Sequence, residues 1–189
     1  MLKINELKTL LLQYKPFFIF LFKFLLFYIV ITFVYKQYLN QFDPLLNELD
    51  GISTHVANQT NNLLHLFNQD SYLIQHEFEP SIKIIFKEKY ISRIIEGCNA
   101  ISVIILFAAF VFAFSIKIKR TIIYIVLGSA LIYILNIFRI ALLTYSLYYY
   151  PEYEELLHGT IFPLFIYGVV FILWIAWVTR FSGYDKKDS

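Results

Sequence analysis

The sequence predicts an all-α integral membrane bundle of about four transmembrane helices, with an extracytoplasmic segment between the first and second. Three observations lead there. Apolar residues make up 59% of the 189-residue chain and aromatics 20%, against an apolar share of roughly 45–50% in soluble domains. A soluble fold of this size cannot hide that much apolar surface, so lipid serves as the solvent. The apolar residues also cluster into four long runs, and the basic residues favour alternate connections between them. The length suits one domain, and no internal repeat or low-complexity tract divides it.

Residues 1–15 are polar and amphipathic, with Lys3, Lys8 and Lys15. The first span, 16–35, makes about 30 Å of helix, enough to cross a bilayer. Lys23 interrupts it, but lies only about 12 Å along the axis from Lys15, so its stem can snorkel to the headgroups. A basic stretch before an apolar one also describes a signal peptide. No small-residue cleavage site follows, however, and the chain runs on as Tyr35-Lys36-Gln37-Tyr38. An uncleaved anchor is expected.

Residues 36–97 form a polar segment. Leu45, Leu46, Leu49, Ile52, Val56, Leu63, Leu64 and Phe67 recur at helical spacings, which predicts one or two amphipathic helices on the membrane or bundle surface. The β-branched and aromatic residues of 81–95, around Lys87-Glu88-Lys89, predict a short hairpin. The second span is expected over 98–116, closed by Lys117, Lys119 and Arg120. The third covers 121–143, the fourth 159–179. A polar loop around Pro151, Glu152, Glu154 and Glu155 separates these two, and the tail 180–189 is charged. Trp174 and Trp177 suit an interfacial belt.

The basic residues orient the bundle. Segments 1–15, 117–120 and 180–189 hold nine Lys or Arg and three acids, whereas the two opposite segments hold five and eleven. The positive-inside rule then places both termini in the cytoplasm and 36–97 outside, in the inner membrane of the cell.

This topology brings three chemically capable residues to one depth. Cys98, the only cysteine, opens the second helix at its outer end. Arg139 lies about 27 Å past the inner start of the third. His158 opens the fourth. A thiol, a permanent cation and an imidazole gathered at one face have the makings of a nucleophile, an oxyanion stabiliser and a general acid/base. A helix N-terminus and a nearby cation favour the thiolate. Asn136, three residues before Arg139, is placed to orient the guanidinium, and Ser102, one turn beyond Cys98, to support the site. Each residue alone has a simpler use: cysteine as a small packing group, arginine as a snorkelling cation, histidine as a surface residue, Asn136 and Ser102 as helix-packing glue. Their convergence argues for chemistry.

Other features carry less. His55, His65 and His76 lack a metal-ligand spacing and are expected in loops. Glu154-Glu155 before His158 lacks the paired ligands of a zinc site and reads as a solvated loop. No phosphate loop is present, a lone cysteine excludes an internal disulfide, and no metal or cofactor is expected.

The order Cys, Asn-x-x-Arg-Ile, His, each at the outer end of successive helices, resembles the exosortase/archaeosortase family. The matching pieces are GCNAIS (97–102), NIFRI (136–140) and HGTIFPLFIYG (158–168). Size and a Phe/Ile/Tyr-rich makeup are similar to the short exosortase F branch of Bacteroidetes. Asn99 and Ala100 stand where the family usually has Ser-Gly, while Ser102 keeps the serine that follows. The resemblance implies a membrane cysteine protease or transpeptidase that cleaves C-terminal sorting signals of exported proteins at the outer membrane face. Its substrates would carry a short motif, a transmembrane helix and a basic tail. The acyl group would pass to water or to a cell-surface acceptor such as a glycan or lipid amine. By position, Cys98 is the nucleophile, Arg139 the oxyanion stabiliser and His158 the acid/base. Membrane lipids, and no nucleic acid, are the other expected partners. A non-enzymatic scaffold of a secretion or polysaccharide export system is the alternative. A small transporter fits less well, because its polar residues belong near the bilayer midplane.

Overall fold

In the computed structural model, residues 12–43, 47–67 and 70–182 are described. The expected basic stretch through Lys3 and Lys8, Leu45 and Leu46 of the amphipathic pattern, and the tail beyond Ser182 lie outside them. Helix α1 spans Lys15–Leu39, with Pro16 in its first turn, where a missing N–H costs nothing. It buries no residue fully, as befits a helix whose solvent is lipid. Its aromatic ridge docks on the short helix α3 (Ile101–Ala113), Phe20 against Phe110 and Phe114, Phe27 on Phe112. Farther along α1, Tyr35 meets Asn99, so the two helices run antiparallel.

Helix α2 (Gly51–Leu66) starts where the Asp50 side chain accepts the Ser53 amide at 3.0 Å. Its buried stripe of Val56, Ala57, Thr60 and Leu64 has helical spacing. The apolar part packs with Ile84, Phe86 and Ile94 of the sheet and Ile140 and Ala141 of α4. The predicted amphipathic helix therefore lies on the bundle. His55 and His65 belong to it and are not loop residues.

An antiparallel sheet of β1 (Ser71–Gln75), β2 (Ile82–Phe86) and β3 (Lys89–Ile94), in the order β1-β2-β3, corrects the all-helical expectation. The predicted hairpin is β2–β3, turning at Lys87-Glu88. Both turn residues have left-handed backbones, with φ of 48° and 62°, as a two-residue hairpin turn demands. Lys87 is held there by the Tyr149 hydroxyl at 2.6 Å. β1 has no turn signal of its own and becomes a strand by pairing with the other edge of β2.

Helix α4 spans Ile118–Tyr149, and α5 runs continuously over Pro151–Phe181. α1, α4 and α5 are long and apolar enough to cross a membrane. The expected second span is shorter than foreseen: α3 has 13 residues, about 20 Å against a hydrocarbon core of about 30 Å. Its apolar character reflects burial, since Ile105, Phe107, Ala108, Ala109, Val111 and Ala113 are all enclosed. Gly128 of α4 lets the two helices meet: a Cβ there would fall well inside the van der Waals radius of the Phe107 ring.

The fourth helix begins at Pro151 rather than at 159. Pro163 has no N–H for the carbonyl of Gly159, and the helix widens into a π turn over Leu157–Ile161 just before it. At the far end Tyr124 packs on Trp177 and Phe181. Trp177 is 1% exposed, so it fills the bundle and is not part of an interfacial belt. These pairings gather Lys15, Lys117, Lys119, Arg120 and Arg180 at one end of the bundle. The sheet and α2 sit at the other.

Candidate functional site

The chain leaves β3 through a single 3-10 turn, Glu96–Cys98, and reaches α3 by way of Asn99 and Ala100. Ala100 has φ 64° and ψ 5°, a left-handed conformation that glycine adopts freely and alanine adopts under strain. Asn99 is 1% exposed and uses its whole side chain. Nδ2 donates to the Tyr35 hydroxyl at 2.7 Å and to Ser53 Oγ at 3.0 Å, while Oδ1 accepts the Ile101 amide at 2.9 Å. It thus ties α1 and α2 to the start of α3. Tyr35 in turn donates to Glu96 at 2.7 Å. The segment holding Cys98 is fastened from both sides.

Cys98, Arg139 and His158 line one cavity of about 380 Å³. It is lined by β3 and by Ile140, Leu143 and Leu147 of α4, two elements joined by the Ser92 and Thr144 hydroxyls at 3.1 Å. The cavity lies at the end of the bundle away from the grouped basic residues. Asn136 is fully buried and joins two of the three residues. Its Nδ2 donates to the Cys98 carbonyl at 2.7 Å, and its Oδ1 accepts from Arg139 Nη1 at 3.2 Å. Arg139 makes no other hydrogen bond among the described residues, and its buried Nε has no partner. A guanidinium with spare donors beside a thiol is ready to receive an anion. His158 is exposed, in the π turn of α5, and its ring makes no hydrogen bond with a described residue.

Ser102 does not join them. It is exposed on the first turn of α3 and does not line the cavity. The expectation that it shares a face with Cys98 assumed one continuous helix, and the left-handed Ala100 breaks the helix between them. Conversely, Glu154 lines the cavity with His158; it is exposed, as expected, but lies in a helix and not in a loop. The two stand four apart within α5, so they share a helical face. That spacing is visible in the sequence once the helix is started at Pro151. Asn99 is the other residue without a role in the sequence reading, and only its three partners reveal it.

A chain with this arrangement can bind a peptide carbonyl, attack it with sulfur, hold the oxyanion and exchange protons at the leaving group. A family model described as transmembrane exosortase matches residues 7–179. No curated protein and no solved structure matches the chain.

Proposed function

The chain belongs to the transmembrane exosortase family, and on that premise we propose that it is a membrane cysteine protease or transpeptidase acting on C-terminal sorting signals of exported proteins. The observation that carries the proposal is the shared cavity of Cys98, Arg139 and His158, with Asn136 bonded to two of the three. Attack of the Cys98 thiolate on the scissile carbonyl forms a C–S bond and moves the carbonyl electron pair onto oxygen. The free N–H groups of Arg139 stabilise that oxyanion, stronger partners for it than for the ground-state carbonyl. His158 gives its proton to the departing amine, the C–N bond breaks, and a thioester remains on Cys98. The neutral imidazole then takes a proton from the incoming water or amine, which displaces the sulfur.

The grouped basic residues support an orientation with that end in the cytoplasm. The cavity and the sheet then face the exterior of the cytoplasmic membrane, where the signal of an exported protein emerges. Both termini are cytoplasmic in this arrangement. The substrate's own transmembrane helix would lie beside α4 and α5 and bring its preceding motif to the cavity mouth.

Replacing Cys98 with alanine tests the proposal. Cleavage of exported proteins that end in an apolar helix and a basic tail is expected to stop, while the variant still inserts in the membrane. Normal cleavage by that variant would leave the scaffold alternative standing in its place.

A further inference from the structure

We infer that the substrate segment around the scissile bond binds as an added β-strand along the free edge of β3, paired through its main chain. The inference rests on the proposed reading of the cavity as the catalytic site. In the order β1-β2-β3, β3 has one partner, so one edge carries main-chain groups unused by the ladder. Apart from that ladder, no hydrogen bond reaches the backbone of residues 89–94 from any described residue.

The cavity borders this edge. Side chains on one face of a strand alternate, so a cavity on a face meets every second residue. Here five consecutive residues, Tyr90 to Ile94, line it, among them Ile91 at the bulge where β3 slips against Ile84 and Ile85 of β2. They span about 17 Å of extended chain, ending four residues before Cys98. Arg139 and His158 line the same cavity.

A strand laid along β3 would therefore run toward the nucleophile, into the cavity that holds the oxyanion donors. Exposed edges invite pairing, and soluble proteins usually cover or charge them. This strand carries Lys89 and Arg93, yet between them Ile91 and Ser92, both half-buried, line the cavity, Ser92 with its hydroxyl bonded to Thr144 of α4 at 3.1 Å. The occupant that fits is an extended peptide whose affinity comes from main-chain bonds and whose specificity comes from alternate side chains. A folded substrate domain would not enter. A flexible segment just ahead of a transmembrane helix would.

The test uses the full chain in detergent with acetyl-Ala-Ala-Ala chloromethyl ketone, a probe with little side-chain recognition. Cys98 is expected to react with it about tenfold faster than with chloroacetone, the yield of one or two main-chain hydrogen bonds. N-methylating the amides of one alternating set should remove that gain. Methylating the other set should leave it. A Cys98 that reacts with both reagents but shows no gain, or equal loss from both sets, overturns strand addition.

A second measurement does not depend on the thiol. In Cys98→Ala, a tripeptide with a diazirine side chain at its middle position is expected to cross-link within residues 89–94. Cross-links confined to the apolar helix wall, or none at all, overturn the inference. Cross-links on β3 together with an inert Cys98 would keep strand addition and remove the nucleophile.

Discussion

Replacing Asn136 with alanine cuts the link between the thiol segment and the guanidinium. The side chain is fully buried, donates to the Cys98 carbonyl at 2.7 Å and accepts from Arg139 at 3.2 Å. The first bond contributes about 1 kcal/mol and the second, to a charged donor, about 1.5–3 kcal/mol. Water entering the half-open cavity recovers part of this, so a net loss of about 2–3 kcal/mol is expected. For a chain of this size that corresponds to a fall in Tm of about 4–10 °C, measured by thermal unfolding in detergent. Asn136→Asp separates the two bonds. It keeps an acceptor for Arg139 but sets a carboxylate oxygen against the Cys98 carbonyl. Both variants should change the alkylation rate of Cys98, and only the alanine should release Arg139. An alanine variant with unchanged Tm and unchanged thiol reactivity would show that Asn136 is not the strut described here.

Three further outcomes follow from named contacts. Arg139→Lys keeps the charge but loses the planar fork and its spare N–H groups, so cleavage should fall about 100-fold while the protein stays folded. Ala100→Gly relieves a left-handed alanine; after allowing for the greater freedom of glycine when unfolded, it should stabilise the chain by about 0.5–1 kcal/mol in thermal unfolding. Gly128→Ala drives a methyl into the fully buried Phe107 ring, and the overpacking should cost about 1–3 kcal/mol. Pairing it with Phe107→Leu should recover part of that loss.

Much of the helical scaffold was readable because lipid-facing and buried helices both demand long apolar runs. The expected spans at 16–35 and 121–143 lie within α1 and α4. Hydropathy could not separate a helix enclosed by protein from one enclosed by lipid, and so α3 was taken as a full span. The hairpin at Lys87-Glu88 was visible in its β-branched flanks. β1 was not, because five residues become a strand only when β2 offers an edge. At the site, depth along antiparallel helices brings Cys98, Arg139 and His158 to a common plane, and the three line one cavity. Ser102 failed because a periodicity argument cannot see the left-handed Ala100. Glu154 reads as a loop residue only while the fourth helix is started at 159, eight residues after its observed start at Pro151.

The decisive measurement is mass spectrometry of Cys98 after the protein, in its native membrane, has met an exported protein ending in an apolar helix and a basic tail. The proposed chemistry requires an acyl group on that sulfur, released by hydroxylamine and absent from Cys98→Ala. Cleavage that proceeds with Cys98 unmodified, or undiminished in its alanine variant, would contradict it.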